Sequence, residues 1–306
     1  MTINEILVWT GFCFAALSAL SVYVAYKKRD GILNPPNRRS PVTTTPENFS
    51  LAYETVFFNS ADGIELNGWF IPCPHSGSDK TIVFCHGWAS NKGEILKDTW
   101  FLAEKGFNLF YFDFRGCGES KDGGISSVGY LETRDLEGAL KFIKSARPNE
   151  SSQIFLYGCS MGGSVAVYGT AHNPEIKALV AESTFFSFDS VIRNWSWNRL
   201  KVPYFPMVMM VLFFVRRKLK VDANLYSPFM NVSKISCPTL FVNGDNDDLV
   251  SLQQAKELLS LCSSEKKDLW IIKGASHAKC PETAGVHFTE KITEFYVSAS
   301  QPAAVK

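Results

Sequence analysis

The sequence has no surplus of charge of either sign: 31 Lys and Arg stand against 30 Asp and Glu, a net charge of +1. That balance leaves no electrostatic footprint for nucleic acid or an acidic polymer, so neither is expected as a partner. There is no Cys-x-x-Cys pair. The eight cysteines, Cys13, Cys73, Cys85, Cys117, Cys159, Cys237, Cys262 and Cys280, are scattered, and several lie inside apolar runs as small buried hydrophobes do. Such spacing argues against a disulfide framework and against zinc, and for a reducing compartment. No repeat or low-complexity tract is present. At 306 residues the chain is long enough to bury a core without disulfides or metals.

Uncharged length is scarce too, except at the N-terminus. From Ile6 to Tyr26 the chain reads ILVWTGFCFAALSALSVYVAY, long enough as a helix to cross a bilayer core of roughly 30 Å. Glu5 precedes this run and Lys27-Lys28-Arg29 follows it, with Trp9, Tyr23 and Tyr26 placed as interfacial anchors. A cleaved signal peptide wants a positive start and a shorter apolar core, and MTINE carries no positive charge. The pattern predicts a single-pass membrane anchor over residues 1–30, with the basic cluster and the following domain on the cytoplasmic side. Asn-x-Ser sequons at Asn48, Asn149, Asn194 and Asn231 argue weakly for the other side.

Residues 31–50, rich in Pro, Thr, Asn and Arg, read as a linker. The domain expected over 51–300 opens with YETVFFN and IELNGWFIP, a hairpin turning at Ala61-Asp62-Gly63. Short apolar runs then alternate with amphipathic stretches. The strands predicted are 81–87, 107–114, 153–158, 176–183, 238–244 and 267–274; the helices predicted are 91–105, 128–146, 161–172 and 285–298. This is an α/β chain with a mostly parallel, doubly wound sheet. Residues 184–232 contain no clean strand and predict a helical cap insertion. Its apolar centre MVMMVLFFV (207–215) is too short to span a membrane and reads either as a buried helix or as an apolar lid facing membrane or substrate.

The candidate chemistry starts at Ser160, in Gly158-Cys159-Ser160-Met161-Gly162. A five-letter pattern decides nothing alone, but this one sits between a buried strand and a helical run. Glycines at 158, 162 and 163 permit the tight strand-to-helix turn that exposes a serine at the carboxyl edge of a sheet. A serine nucleophile needs a base, and the base needs an orienting acid. His277 in KGASHAKC and the carboxylates Asp245, Asp247 and Asp248 in NGDNDDLV both follow strands, at the same edge. The chain order is Ser, Asp, His. Cys159 reads as a packing residue and Arg115 as a loop holder. The aspartate cluster lacks a further ligand at metal spacing, so neither metal nor cofactor is expected.

With these residues in place, the chain resembles the α/β-hydrolases over most of 53–298, in the short-capped branch that includes serine aminopeptidase-like and esterase sequences. FCHGWASNK (84–92), FDFRGCGES (112–120), NGDNDDLV (243–250) and GASHAKC (274–280) carry the resemblance beyond the serine turn. The family's G-x-x-D-x-x-V spacing falls on Gly244, Asp247 and Val250. It implies Asp247 as the triad acid, with Asp245 and Asp248 next and Glu182 or Asp189 as outside alternatives. The H-G-x turn falls on His86-Gly87-Trp88 and implies an oxyanion hole from the backbone N–H groups of Trp88 and Met161. The implied activity is hydrolysis of an ester or thioester, with the anchor and apolar cap favouring a lipophilic acyl substrate. A serine peptidase and a non-catalytic membrane-tethered binding module are the alternatives, and oligomeric state is not legible.

Overall fold

The computed structural model describes residues 2–35, 38–75 and 77–301. A hairpin of β1 (Glu54–Asn59) and β2 (Glu65–Ile71) opens the domain. Then come β3 (Lys80–Cys85), β4 (Asn108–Phe112), β5 (Gln153–Cys159), β6 (Ile176–Glu182), β7 (Thr239–Gly244) and β8 (Lys267–Ile272). The sheet order is β1-β2-β4-β3-β5-β6-β7-β8. β1 pairs antiparallel with β2, and β2 antiparallel with β4; every other neighbouring pair is parallel. The mostly parallel sheet is therefore as predicted, with the hairpin added at one edge.

Strand periodicity sorts the core into two layers. Val83, Phe110, Phe112, Leu156 and Leu179 face one side, packing with Leu136 and Val165. Their sequence neighbours Ile82, Phe84, Leu109, Tyr111, Phe155 and Val180 face the other, with Leu96, Phe288 and Tyr296. Helices cover both faces. α2 (Lys92–Thr99) and α10 (Val286–Ala299) lie on the second face, while α3 (Glu132–Ala146), α4 (Met161–His172) and α8 (Leu252–Leu261) lie on the first. Burying each of these large apolar side chains contributes about 1.5–3 kcal/mol, so both layers are needed to hold the sheet.

Between β6 and β7 the chain is strand-free, as predicted. α5 (Phe188–Leu200) and α6 (Met209–Leu219) follow each other with a 120° turn of the chain between them, then the short α7 (Pro228–Asn231). α9 (Cys280–Ala284) precedes α10. The N-terminal helix α1 (Ile3–Leu33) is long and apolar enough to span a membrane; length and composition alone fit a signal sequence equally. Residues 3–20 of it are exposed, whereas Ala25, Ile32 and Leu33 are buried against the domain.

Four expectations shift. α1 runs on to Leu33, and residues 38–50 are packed rather than a free tether: the Asn91 amide donates to the Ser40 and Pro41 carbonyls, and Arg38 is buried. α2 stops at Thr99, whose hydroxyl donates to the Ile95 carbonyl at 2.7 Å and meets the Tyr111 hydroxyl, and a 3-10 turn completes the segment. α3 begins at Glu132 rather than 128, because the buried Glu132 carboxylate organises the preceding loop, accepting from the Ser126 and Ser127 hydroxyls and the Ser127 and Gly129 N–H groups. α8 lies in a stretch for which the periodicity gave no helix.

Two buried ion pairs brace the loops beside the sheet's carboxyl edge. Lys92 Nζ lies 2.6 Å from Asp113 Oδ2, both side chains fully buried, and stands 4.5 Å above the Trp69 ring. Asp113 also accepts from the N–H groups of Lys92 and Glu119, tying the start of α2 to the loop after β4. Losing Lys92 would leave the Asp113 carboxylate buried without its cation, costing about 3–5 kcal/mol, whereas Lys92 has a second carboxylate in Glu119 at 2.6 Å. Arg115 donates to Asp135 and Asp62, and so holds its loop as expected.

Candidate active site

Ser160 joins β5 to α4 with φ 54° and ψ −115°, a left-handed φ that a non-glycine residue adopts only when its surroundings impose it. The surroundings are close. A Cβ on Gly158 would lie 2.3 Å from the Gly162 carbonyl oxygen, and one on Gly162 would lie 2.0 Å from the Cys85 carbonyl oxygen. Only bare backbone lets α4 start this near the end of β3. The Ser160 N–H donates to the Glu182 carbonyl at 2.8 Å, tying the turn to β6. The result is a serine held at the N-terminus of a twelve-residue helix, where the dipole favours negative charge.

His277 lies in the loop after β8. Its Nε2 is 2.8 Å from Ser160 Oγ. Its Nδ1 is 2.8 Å from Asp247 Oδ2 and 3.0 Å from Oδ1. The Asp247 side chain is fully buried, and its Oδ1 also accepts from the N–H groups of Leu249 at 2.9 Å and Val250 at 2.8 Å. Val250 thus has a backbone role in the loop that its spacing from Asp247 did not reveal. These three donors hold a buried carboxylate that would otherwise be costly to desolvate.

The other carboxylates are engaged elsewhere. Asp245 Oδ1 accepts from the Gly274 N–H, and Asp248 pairs with Arg199. Asp189 pairs with Arg216. Glu182 is buried behind the serine turn, its Oε2 accepting from the Tyr157 hydroxyl at 2.6 Å while Oε1 has no partner among the described residues. Burial raises its pKa to about 7 against the opposing pull of the Tyr157 phenol, so the carboxyl becomes a weaker acid. Desolvation raises the Cys159 thiol well above its ordinary range, so the neighbour of Ser160 stays neutral.

His86 is part of the scaffold. It is fully buried, accepts from the Phe114 N–H on Nε2 at 3.0 Å, and has its pKa lowered by burial. Its ring bridges the turn after β3 to the loop after β4. Gly87 passes within van der Waals reach of Ser160: a Cβ there would be 3.8 Å from the serine Cβ. Among the described residues, neither the Trp88 nor the Met161 N–H donates to a protein group, so both donors are free beside this turn. One residue escaped sequence reasoning: Ser183, at the end of β6, accepts from the Ala278 N–H at 3.1 Å and anchors the histidine loop. Its place just past a strand end was the available signal. An open groove of about 380 Å³ lined by Asp98, Trp100, Pro281 and Phe288 contains none of these residues.

A hydroxyl, an imidazole and a buried carboxylate stand in one line at the N-terminus of a helix, an arrangement suited to taking a proton from an alcohol. Comparison with known proteins agrees with that chemistry at the level of family. A family model described as serine aminopeptidase, S33, matches residues 76–225. The uncharacterized protein YfhR of Escherichia coli (strain K12) is 28% identical over 255 residues, covering 81% of this chain and 82% of the relative. Protein bem46 of Schizosaccharomyces pombe is 26% identical over 282 residues, covering 90% and 88%. Among solved structures, the Pyrococcus furiosus esterase Pf2001 superposes with a TM-score of 0.71 at 27% identity, covering 87% of this chain and 99% of the esterase. Sheet order, serine turn and these likenesses together place the chain in the α/β-hydrolase superfamily, to which it belongs.

Proposed function

We propose that the protein is a membrane-anchored serine hydrolase that cleaves carboxylic ester or thioester bonds of a lipophilic acyl substrate. The observation that carries this reading is the unbroken line from Ser160 Oγ through His277 to Asp247, with contacts of 2.8 Å on both sides of the imidazole. Neutral His277 accepts the serine proton on Nε2 as Oγ attacks the acyl carbonyl. Asp247 accepts from Nδ1–H, which fixes the tautomer and stabilises the imidazolium that forms. The Trp88 and Met161 N–H groups receive the tetrahedral oxyanion, each contributing about 3 kcal/mol to the transition state. His277 then protonates the leaving alcohol or thiol, and water attacks the acyl-enzyme with His277 again as base. In this reading α1 anchors the chain, and the hydrolase domain lies on the cytoplasmic side.

The full chain should hydrolyse p-nitrophenyl esters, with activity rising from acetate towards palmitate and vanishing in Ser160→Ala. Activity confined to acetate and butyrate would restrict the substrate to small esters. The match to a serine aminopeptidase model favours a second reading, a peptidase. Ser160-dependent cleavage of aminoacyl p-nitroanilides without ester turnover would replace the first reading with that one.

A further inference from the structure

α1 and α6 pack side by side and run in the same direction. The Tyr26 ring meets the Phe214 ring edge-on at 5.5 Å, and Lys218 Nζ donates to Asp30 Oδ1 at 2.8 Å. Both pairs keep the same offset of 188 positions, so the two helices are in register. At that offset Phe213 stands level with Ala25 and Met209 with Ser21, and the chain kinks before Met209, at Phe205. The elbow between α5 and α6 therefore reaches back alongside the uncharged run of α1, and residues 204–208 do touch α1.

The elbow is bare and apolar where it does so. Phe205 is 70% exposed, Leu200 and Phe213 53%, and Met209 42%. α6 already buries Val208, Val211, Leu212, Val215 and Leu219 in the core, so this is its second apolar face. Further along, the same helix becomes basic: Arg216, Arg217, Lys218 and Lys220 sit beside Lys27, Lys28 and Arg29 of α1, with Asp30, Asp189 and Asp222 the acidic groups among them. At about 1.5 Å per residue, Met209, the first residue of α6, lies roughly 9 Å beyond the Lys27 level, within the depth of one leaflet. Arg199 and Lys201 at the elbow have stems long enough to return their charges to the surface.

We propose that the α5–α6 elbow is a membrane-inserting surface: Leu200, Phe205, Met209 and Phe213 enter the same leaflet as α1, and the basic collar meets anionic lipid headgroups. The charge order along α6 matches a bilayer interface, with apolar residues on the side of the α1 run and cations at its boundary. The surface is joined to the candidate site. Asn194 donates to the Leu249 carbonyl at 2.9 Å, and Arg199 pairs with Asp248, so α5 rests on the loop that carries Asp247. An acyl amphiphile dissolved in the leaflet would then meet the chain beside the loop that carries Asp247, which narrows the substrate class to bilayer-resident esters or thioesters. The insertion rests on α1 lying in a membrane, and the substrate class on the hydrolase reading.

The test places a photoreactive benzoylphenylalanine at Phe205 or Phe213 in the full chain, reconstituted in phosphatidylcholine vesicles containing phosphatidylserine. Leu7 in α1 and Val286 at the start of α10, both exposed, serve as references. Lipid adducts at Phe205 and Phe213 at least about fivefold above Val286, alongside adducts at Leu7, are expected. Adducts at Leu7 with none at Phe205 and Phe213 overturn the inference and leave the anchor standing. Adducts at Phe205 without Leu7 overturn the inference in this form, because it places the elbow in the leaflet beside α1. Adducts at neither, equal adducts at Val286, or cross-links to a second copy of the chain in place of lipid overturn the inserting surface.

Discussion

Around Ser160, the triad groups and the serine turn are tied to partners at defined distances; at the α5–α6 elbow, large apolar side chains stand open to the surroundings. Asp247 accepts from two N–H groups and an imidazole, the Ser160 N–H is tied to Glu182, and the turn closes only because Gly158 and Gly162 carry no Cβ. Phe205 and Phe213, a few turns along the chain from α5, face outward. The contrast separates two ways in which a fold carries function. A chemical site is defined by what its groups touch, whereas an interaction surface is defined by what has been left untouched.

The most severe break in the first region is His277→Ala, which removes the proposed base. Ester turnover should fall by about 10⁴- to 10⁶-fold with an unchanged far-UV spectrum, since the ring lies in a surface-edge loop. Gly162→Ala tests the geometry rather than the chemistry. Its new Cβ would sit 2.0 Å from the Cys85 carbonyl oxygen, so the turn must shift. Expected are a loss of kcat of about 10² or more and a destabilisation of about 1–3 kcal/mol in urea titration. An active, equally stable variant would mean the tight serine turn is not needed.

The second region is challenged by the double variant Phe205→Glu with Phe213→Glu. Hydrolysis of a long-chain ester presented in vesicles should drop about tenfold, while a soluble short-chain ester is turned over within about twofold of the parent. Equal losses on both substrates would assign the elbow to packing. The smallest effect belongs to Glu182. Burial raises its pKa to about 7, from 4.5 in the unfolded chain, so between those pH values the folded chain holds the extra proton. Stability therefore falls as pH rises from about 4.5 to about 7, by at most about 1.4 kcal/mol per unit, and stays reduced above that. Thermal melts at pH 5 and pH 8 should differ less for Glu182→Gln than for the parent; equal differences would mean Glu182 is ionised throughout.

Much of the chemical region was legible because it is local and periodic. The strands show up as apolar runs that must be buried on both faces, and α4 begins and ends where glycine spacing and apolar content placed it. Choosing Asp247 over Asp245 and Asp248 came from a family spacing; in the structure Asp247 turns inward to the Leu249 and Val250 N–H groups and meets His277, while Asp245 meets the Gly274 N–H and Asp248 meets Arg199. What escaped depends on distant partners. Asn91 grips Ser40 and Pro41 and turns a supposed tether into a packed segment, Glu132 delays α3 by holding a loop, and Ser183 anchors the histidine loop from another strand. The in-register pairing of α1 with α6 spans 188 positions and has no local signature.

The account stands or falls on Ser160 as a nucleophile, and the most direct measurement is covalent labelling with an alkyl fluorophosphonate, read by peptide mass spectrometry on the full chain. The prediction is a single adduct on the peptide containing Ser160, absent from Ser160→Ala and strongly slowed in Asp247→Asn. No adduct under native conditions, or equal labelling of Ser160→Ala, would contradict it.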